Sequence, residues 1–379
     1  MNDVENFYNS LKKNNIDFFA GVPDSLLKSF CAYIKDKVSK DKNIIAANEG
    51  NAVGIASGYY LATGKIGLVY MQNSGLGNAV NPLVSLDDKL VYNIPVLLVV
   101  GWRGEPDKKD EPQHKKQGLI TVETLELLNI KYEIVGEDTS NEDMEKIVSK
   151  AVLYMKETCE PFAIVVKKNT FGKYVLKNST HIEMEMSRED AIEILTDNMD
   201  SSSVIVSTTG MASRELFEIR ERRNEEHKRD FLTVGSMGHA SQIALGIALS
   251  RKNIDVYCLD GDGAMIMHLG GMAIIGSKNP KNFKHILINN GAHDSVGGQD
   301  TVGLQIDIPS IAESCGYKSV YSCSKREELK KYAELIKNEE GPVLLEIKVK
   351  KGARSDLGRP TKTPIENKNA FMNFLNIEK

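Results

Sequence analysis

Twelve short apolar runs, rich in Val, Ile and Leu and with little polar alternation, punctuate the 379-residue chain. In the first half they are 16–22, 43–47, 66–72, 94–102, 132–135 and 162–168; in the second half they are 203–208, 231–235, 256–260, 285–289, 318–321 and 343–349. A strand with one solvated face alternates polar and apolar residues, whereas a strand covered on both faces reads as a nearly continuous apolar run. Helix-like stretches such as 49–63, 142–157, 188–198 and 326–337 separate the runs. The βαβα pattern therefore occurs twice and predicts an α/β fold of two doubly wound parallel-sheet domains. Residues 172–186 are polar and aperiodic, so they are expected to be the linker, with a boundary near residue 180 and domains at 1–178 and 179–379. At roughly 150 residues per domain the length suits two domains, and 41% hydrophobic residues suffices for two cores.

The same sequence narrows the function classes. A formal charge of −4 with no long basic run argues against a nucleic-acid partner. The start, MNDVENFYNSLKKNN, lacks a basic segment followed by an apolar one, so no signal peptide is expected. No apolar run approaches the roughly 18 residues of a membrane span. Cys31, Cys159, Cys258, Cys315 and Cys323 are scattered and form no CxxC pair. Free thiols in a reducing compartment, the cytoplasm, are expected instead of a disulfide framework or a zinc site.

In open parallel sheets, ligands sit beyond the carboxyl ends of the strands. Those ends are glycine-rich and polar here: 21–25, 48–51, 73–78, 209–212, 235–239, 261–263 and 289–299. Two sheets with such ends suggest one ligand held between two domains. The most informative stretch is 256–292, which runs strand, Gly261-Asp262-Gly263, helix, strand, Asn289-Asn290-Gly291. Asp262 and Asn290 are 28 positions apart (290 − 262), a length at which a βαβ crossover returns the chain beside its start. A carboxylate and an amide oxygen there suit Mg²⁺, which keeps waters and phosphate oxygens as its other ligands. Gly261 and Gly263 would let backbone approach a phosphate. A Gly-Asp-Gly turn alone is also an ordinary turn.

GDG followed by NN in this context resembles the metal-binding motif of thiamine-diphosphate enzymes. The resemblance implies that Asp262, Asn290 and the carbonyl of Ala292 hold Mg²⁺ on the cofactor's diphosphate. It implies a catalytic role for Glu49, in Asn48-Glu49-Gly50-Asn51-Ala52, as the acid that hydrogen-bonds N1′ of the aminopyrimidine. The bland alternative is a helix-start glutamate favoured by the macrodipole. Gly235-Ser236-Met237-Gly238 is similar to the segment that keeps this cofactor bent, with Met237 as the wedge, although a core methionine after a strand is common. Gly210, at the 209–212 strand end, joins Gly235, Ser236, Met237, Gly261, Gly263 and Asn290 as a cofactor-binding candidate. The first domain would then be pyrimidine-binding and the second diphosphate-binding. Enzymes of this family place the cofactor between subunits, which implies a homodimer or a larger assembly.

The chain has no room for the middle domain that many relatives carry, which points to the short-chain decarboxylases of phosphonopyruvate and sulfopyruvate. Three stretches resemble the phosphonopyruvate branch: Gly21-Val22-Pro23-Asp24-Ser25, a single long loop containing 103–106 and 110–118, and NNGAHDSVGGQ at 289–299. The implied substrate is an anionic 2-oxo acid, cleaved to an aldehyde and CO2 in phosphonate biosynthesis. Arg103, His114 and Lys116 could bind its anionic group by charge-assisted hydrogen bonds; Asp24 and His293 could orient the carboxylate or move a proton. The plainer reading of the loop is a solvated charged connection. An acetolactate-type carboligase fits less well because of its three-domain build, and a non-catalytic cofactor-binding module because Glu49 is present. No GxGxxG follows the first strand, as a dinucleotide oxidoreductase would require.

Overall fold

The computed structural model describes residues 3–178 and 183–376. The chain divides into two compact units, Met1–Ser179 and Thr180–Lys379.

The first unit is a six-stranded parallel sheet of β1 (Phe19–Gly21), β2 (Asn43–Ile45), β3 (Gly67–Gln72), β4 (Val96–Gly101), β5 (Lys131–Val135) and β6 (Phe162–Val166), in the order β2-β1-β3-β4-β6-β5. Side chains alternate between two separate cores. Leu97 and Val99 enter an aromatic layer with Phe7, Phe19, Phe30 and Tyr70. Val96, Leu98 and Val100 enter a layer with Ala52, Ala56 and Leu76. Both faces of β4 are thus dry, which is why its sequence shows no polar alternation.

The second unit is built from β7 (Val204–Ser207), β8 (Asp230–Leu232), β9 (Val256–Gly261), β10 (Phe283–Asn289), a two-stranded antiparallel ribbon β11 (Ala292–His293) and β12 (Gln299–Asp300), then β13 (Ser319–Cys323) and β14 (Val343–Lys348). Its parallel sheet has the order β13-β14-β10-β9-β7-β8. Ile286 and Ile288 face one core and Leu287 the other. In both sheets the strand order reverses near the middle, between β1 and β3 and between β7 and β9, and the crevice beyond such a reversal is where open α/β sheets bind ligands.

Three local expectations change. The stretch 112–118, read as part of a loop, forms the first turns of a helix, Pro112–Leu127, with Pro112 at the start, where its missing N–H is no loss. The linker is not free over its whole length. Tyr174 Oη and the backbone N–H groups of Lys177 and Asn178 all donate to the Asp36 carboxylate of the first unit, and Met186 is fully buried in a core of the second. The expected boundary near residue 180 lies outside the described residues. The 289–299 stretch contains the β11–β12 ribbon. All five cysteines are free, with Cys31, Cys258 and Cys323 buried, and among the described residues no helix is long and apolar enough to cross a membrane.

One buried carboxylate in the first unit is costly. Asp87 ends a π-helical turn, Leu83–Asp87, and accepts from Ser57 Oγ at 2.7 Å, while its Oδ2 has no partner. Burial pushes its pKa from 3.8 up to about 7. The folded chain therefore holds this proton more tightly than the unfolded one, so the stability present below about pH 4 is lost as pH rises to about 7. Asp87→Asn should remove that slope and stabilise the first unit at pH 8 by on the order of 2–4 kcal/mol. Urea midpoints at pH 5 and pH 8 check this; identical pH dependence in the two proteins would refute it.

Candidate active site

The sequence candidates fall on strand ends, in two groups. In the first unit, Asn48 is extended and its side chain accepts from Asn51 N–H at 2.9 Å, capping the helix Glu49–Thr63. This cap places Glu49 in the first turn. Glu49 is 5% exposed, and its Oε2 accepts from Asn78 Nδ2 at 2.7 Å. Gly75 forms its wall: a Cβ there would lie 2.4 Å from Glu49 Cγ and Oε1. Both lie in the polar strand end 73–78 marked from the sequence, but neither was assigned a role there. Gly75 has φ −76°, a conformation open to alanine, so only Glu49 forbids a side chain. Gly75→Ala should fold, displace the carboxylate and lower kcat by about 10²-fold, the usual cost of a misplacement of about 1 Å. Unchanged kcat in a correctly folded variant would show that Glu49 needs no such wall.

Asp24 has a different setting from the one expected. It is fully buried; its Oδ2 accepts from the N–H groups of Leu26 and Leu27 at 3.0 and 3.3 Å, and its Oδ1 accepts from Gln72 Nε2 at 2.6 Å. Burial raises its pKa above the usual value. A Cβ on Gly101 would come 2.2 Å from Oδ2, so the carboxylate is walled in. Its hydrogen bonds tie the segment after β1 to Gln72 at the end of β3, across the β1/β3 reversal.

Arg103, following β4, is already paired. Its Nε and Nη2 donate to the Asp110 carboxylate at 2.8 and 2.5 Å, and Nη1 donates to Ser25 Oγ at 2.8 Å. The bond to Asp110 raises the pKa of Arg103. His114 is buried in the first turn of the helix Pro112–Leu127; burial, and then the Arg103 charge, bring its pKa down to about 4. It is a neutral imidazole near pH 7, so it can meet an anionic group as an N–H donor but not as a cation. Lys116 is exposed on the same helix.

In the second unit the pairing of Ile288 with Gly261 sets the ends of β9 and β10 side by side. Asp262 begins the short helix Asp262–Met267, is 2% exposed, accepts a hydrogen bond from Thr301 Oγ1 and takes another from the backbone N–H of Asn290. Burial pushes its pKa up to about 6. Asn289 turns inward, donating to Gly303 O at 2.8 Å and Glu346 Oε1 at 2.7 Å, whereas Asn290 donates through Nδ2 to Asp294 Oδ2 at 2.6 Å. The first asparagine thus ties β10 to its neighbours, while the second faces the loop. Ala292 follows in β11, and its N–H approaches Asn290 Oδ1 at 3.2 Å. Gly263 meets His293: a Cβ there would lie 2.8 Å from its Cε1. On its Cβ side Gly263 therefore packs against an imidazole. Burial lowers the His293 pKa to about 4, so it too is neutral.

Gly210 (φ 101°), Ser236 (φ 52°) and Gly238 (φ 85°) hold the left-handed turns after β7 and β8. Met237, between the latter two, is half-buried, and Gly235 is likewise half-buried. Orphaned polar atoms lie near these loops. Thr208 Oγ1, at the end of β7, and both ends of the Gln299 amide are buried without a partner. Thr208 lies beside Gly261, whose Cβ would touch its methyl at 4.0 Å. A buried carboxylate with a raised pKa, an amide oxygen and an unpartnered hydroxyl at one sheet reversal form a hard-oxygen set that fits a divalent cation and a phosphate group. Thr301, Gly303, Asp294 and Thr208 were missed by sequence reasoning.

A second cluster, Cys258, Asp260 and His285, lies within the sheet itself, with the ligand atoms within 4.8 Å of one another. His285 Nε2 faces Asp260 Oδ2 at 3.5 Å and its Nδ1 meets Tyr317 Oη at 2.9 Å. His285 Nε2 and Asp260 Oδ2 are both buried without a hydrogen-bond partner, whereas Asp260 Oδ1 accepts from Gly261 N–H at 2.9 Å and so steadies the loop before Asp262.

Comparison with known proteins agrees with this division. Residues 1–125 match the thiamine pyrophosphate enzyme N-terminal TPP binding domain and residues 208–347 the C-terminal TPP binding domain. The phosphonopyruvate decarboxylase of Streptomyces viridochromogenes is 32% identical, covering 94% of this chain and 90% of its own; that of Streptomyces hygroscopicus is also 32% identical, covering 94% and 89%. The sulfopyruvate decarboxylase of Methanosarcina acetivorans is 30% identical over 86% of each chain. Such identity along nearly the whole length, with both cofactor domains matched, places this chain among the thiamine-diphosphate-dependent decarboxylases, carbon–carbon lyases of the thiamine pyrophosphate enzyme family.

Proposed function

We propose that this chain decarboxylates 3-phosphonopyruvate to phosphonoacetaldehyde and CO2, using thiamine diphosphate and Mg²⁺, as a step of phosphonate biosynthesis. The observation that carries the reading is the buried Asp262 carboxylate beside Asn290 at the reversal of the second sheet, in a chain 32% identical to two phosphonopyruvate decarboxylases. Asp262, Asn290 Oδ1 and the Ala292 carbonyl would hold the cation. Gly210, Gly261 and Thr208 would line the diphosphate, and Gly235, Ser236 and Met237 would support the rings. When bound, thiamine diphosphate supplies the nucleophilic carbon and the electron sink on which loss of CO2 depends.

The residues of the chain supply the rest. Glu49, held by Asn78 and walled by Gly75, places an acid against the aminopyrimidine nitrogen. His293, neutral near pH 7, can accept or return a proton but cannot serve as a fixed positive charge. Of the three substrate-binding candidates, Arg103 is the guanidinium suited to an anionic group, and it would have to exchange Asp110 for substrate; Lys116 adds an exposed charge and His114 a neutral N–H donor. Asp24 acts through Gln72.

Self-association as a homodimer or larger assembly is part of the proposal. It is supported by exposed large apolar side chains on the first unit, Leu61 at 70%, Leu90 at 89% and Tyr92 at 69%. Five free thiols suit a reducing compartment, the cytoplasm. Sulfopyruvate is the second reading, favoured by the 30% identity to a sulfopyruvate decarboxylase. Parallel assays of CO2 release with the two acids, Mg²⁺ and thiamine diphosphate decide between them. Faster turnover of the phosphonate supports the proposal, and preference for the sulfonate, or release from neither, overturns it.

A further inference from the structure

Asp294 lies four residues beyond Asn290 and is not a ligand candidate, yet one of its oxygens is unusually heavily used. Oδ2 accepts from Asn290 Nδ2 at 2.6 Å, from Gly352 N–H at 2.9 Å and from Arg188 Nη1 at 3.0 Å. An ionised carboxylate only accepts hydrogen bonds, so the end of the Asn290 amide that meets it must be the NH2. The amide oxygen, which accepts the Ala292 N–H at 3.2 Å, is then the end with a lone pair left for a cation. Without such an anchor the two ends of an asparagine amide are nearly equivalent in shape, and half of its orientations would offer a metal the wrong atom.

Arg188 holds Asp294 in turn. It comes from the helix Arg188–Asp197, is 6% exposed, and is fixed in a fork by Glu215, with Nε to Oε2 at 2.7 Å and Nη2 to Oε1 at 3.0 Å. Its Nη2 also reaches Gly352 O at 3.3 Å, so the segment after β14 is tied to the same point. One guanidinium faces two carboxylates, Glu215 through a two-bond fork and Asp294 through a single bond. Arg188 can balance one of the two, and the Asp294 carboxylate lies close enough to bear on Asp262.

We propose that Asp294, braced by Arg188 and Glu215, is a positioning residue that turns the oxygen of Asn290 toward the divalent cation and adds one negative charge beside the metal loop. The proposal rests on the reading of Asp262 and Asn290 as cation ligands. Outer groups that orient a ligand are typically worth about 10–100-fold in metal affinity.

The test titrates Mg²⁺ into the metal-stripped full-length protein at saturating thiamine diphosphate, with calorimetry and circular dichroism as readouts and no turnover required. Asp294→Ala should raise the half-saturating Mg²⁺ concentration by about 10–100-fold. Asp294→Asn retains an oxygen for Asn290 and Arg188 while losing the charge, so it should fold and fall between wild type and Asp294→Ala. A purely structural role would lower the thermal midpoint of both variants and leave the Mg²⁺ midpoint where it was. Wild-type Mg²⁺ dependence in Asp294→Asn and Asp294→Ala, or equal impairment of the two, overturns the positioning role. Asp262→Ala is the control: if it abolishes the Mg²⁺ response while Asp294→Ala does not alter it, only the positioning role fails. If Asp262→Ala also leaves the response intact, the cation-site reading itself fails.

Discussion

Glu49→Gln is expected to lower turnover by about 10²–10⁴-fold, the range a positioned acid–base group contributes, while leaving the fold and cofactor binding nearly unchanged. The substitution keeps volume and shape, so the side chain still fills the space against Gly75 and still offers an oxygen to Asn78 Nδ2. The helix start survives because its cap belongs to Asn48, not to Glu49; the lost favourable charge in the first turn costs about 0.3–1 kcal/mol. What disappears is the titratable proton at the position proposed to meet the cofactor's pyrimidine. The measurement is kcat with saturating Mg²⁺ and thiamine diphosphate, alongside far-UV circular dichroism and a cofactor titration. A fully folded, cofactor-loaded Glu49→Gln protein with kcat within a few-fold of wild type would remove the acid from the proposal. Gly75→Ala adds a second, independent reading, because it leaves Glu49 chemically intact and disturbs only its place.

Much of this arrangement was legible in the sequence, for identifiable reasons. The central strands were visible because both faces are covered: β4 and β10 are buried at every position, and that dryness is written as the aliphatic run 96–100 in β4 and 286–288 in β10. Strand ends located the loops, and chain spacing placed Asp262 near Asn290. The helix Pro112–Leu127 was hidden because its apolar residues are scattered around its circumference, with Leu119, Ile120 and Leu127 exposed, so no amphipathic stripe distinguishes it from a polar loop. The supporting layer was hidden for a different reason. Gly75 matters only because Glu49, 26 residues earlier (75 − 49), packs against it. Gly303 matters because a Cβ there would sit 2.7 Å from Asp262 Oδ2, and Arg188 because it reaches Asp294, 106 residues away. These pairings exist only after the loops have met, and neither periodicity nor a motif records them. Protonation states likewise depend on burial that only the fold sets. His114 and His293 are histidines in the chain but neutral imidazoles in the fold, because burial has removed the water that would stabilise their cations.

Asp262→Ala should abolish the response of the protein to Mg²⁺ and thiamine diphosphate, and should do so without weakening the protein that lacks them. The first half follows from charge. Asp262 is the single carboxylate in the proposed ligand set, and the remaining oxygens of Asn290 and Ala292 are neutral. Losing a direct anionic ligand should exceed the roughly 10–100-fold cost of disturbing an outer group. The second half follows from burial. The Asp262 pKa is pushed up to about 6, so above that pH the metal-free fold holds a charged carboxylate at a desolvation cost. The folded-state value lies above the unfolded one, so this cost develops between about pH 4 and pH 6 and is fully present at pH 8; removing the group returns on the order of 2–3 kcal/mol. Against this stand the Thr301 hydroxyl and the Asn290 N–H, each left without its acceptor at about 1–3 kcal/mol if dry. The space left by the carboxylate lets water reach both donors, which keeps their cost at the low end, about 2 kcal/mol together; the terms then offset and the metal-free thermal midpoint at pH 8 should move little. Wild type should gain stability on adding Mg²⁺ and thiamine diphosphate, by about 2.7 kcal/mol at a hundredfold excess over Kd, while Asp262→Ala should gain none. Scanning calorimetry of both proteins with and without the two ligands makes the comparison. Equal ligand-induced shifts would show that the cation is held by other groups, whereas a variant that melts early without ligand would show that the carboxylate serves the fold before it serves the metal.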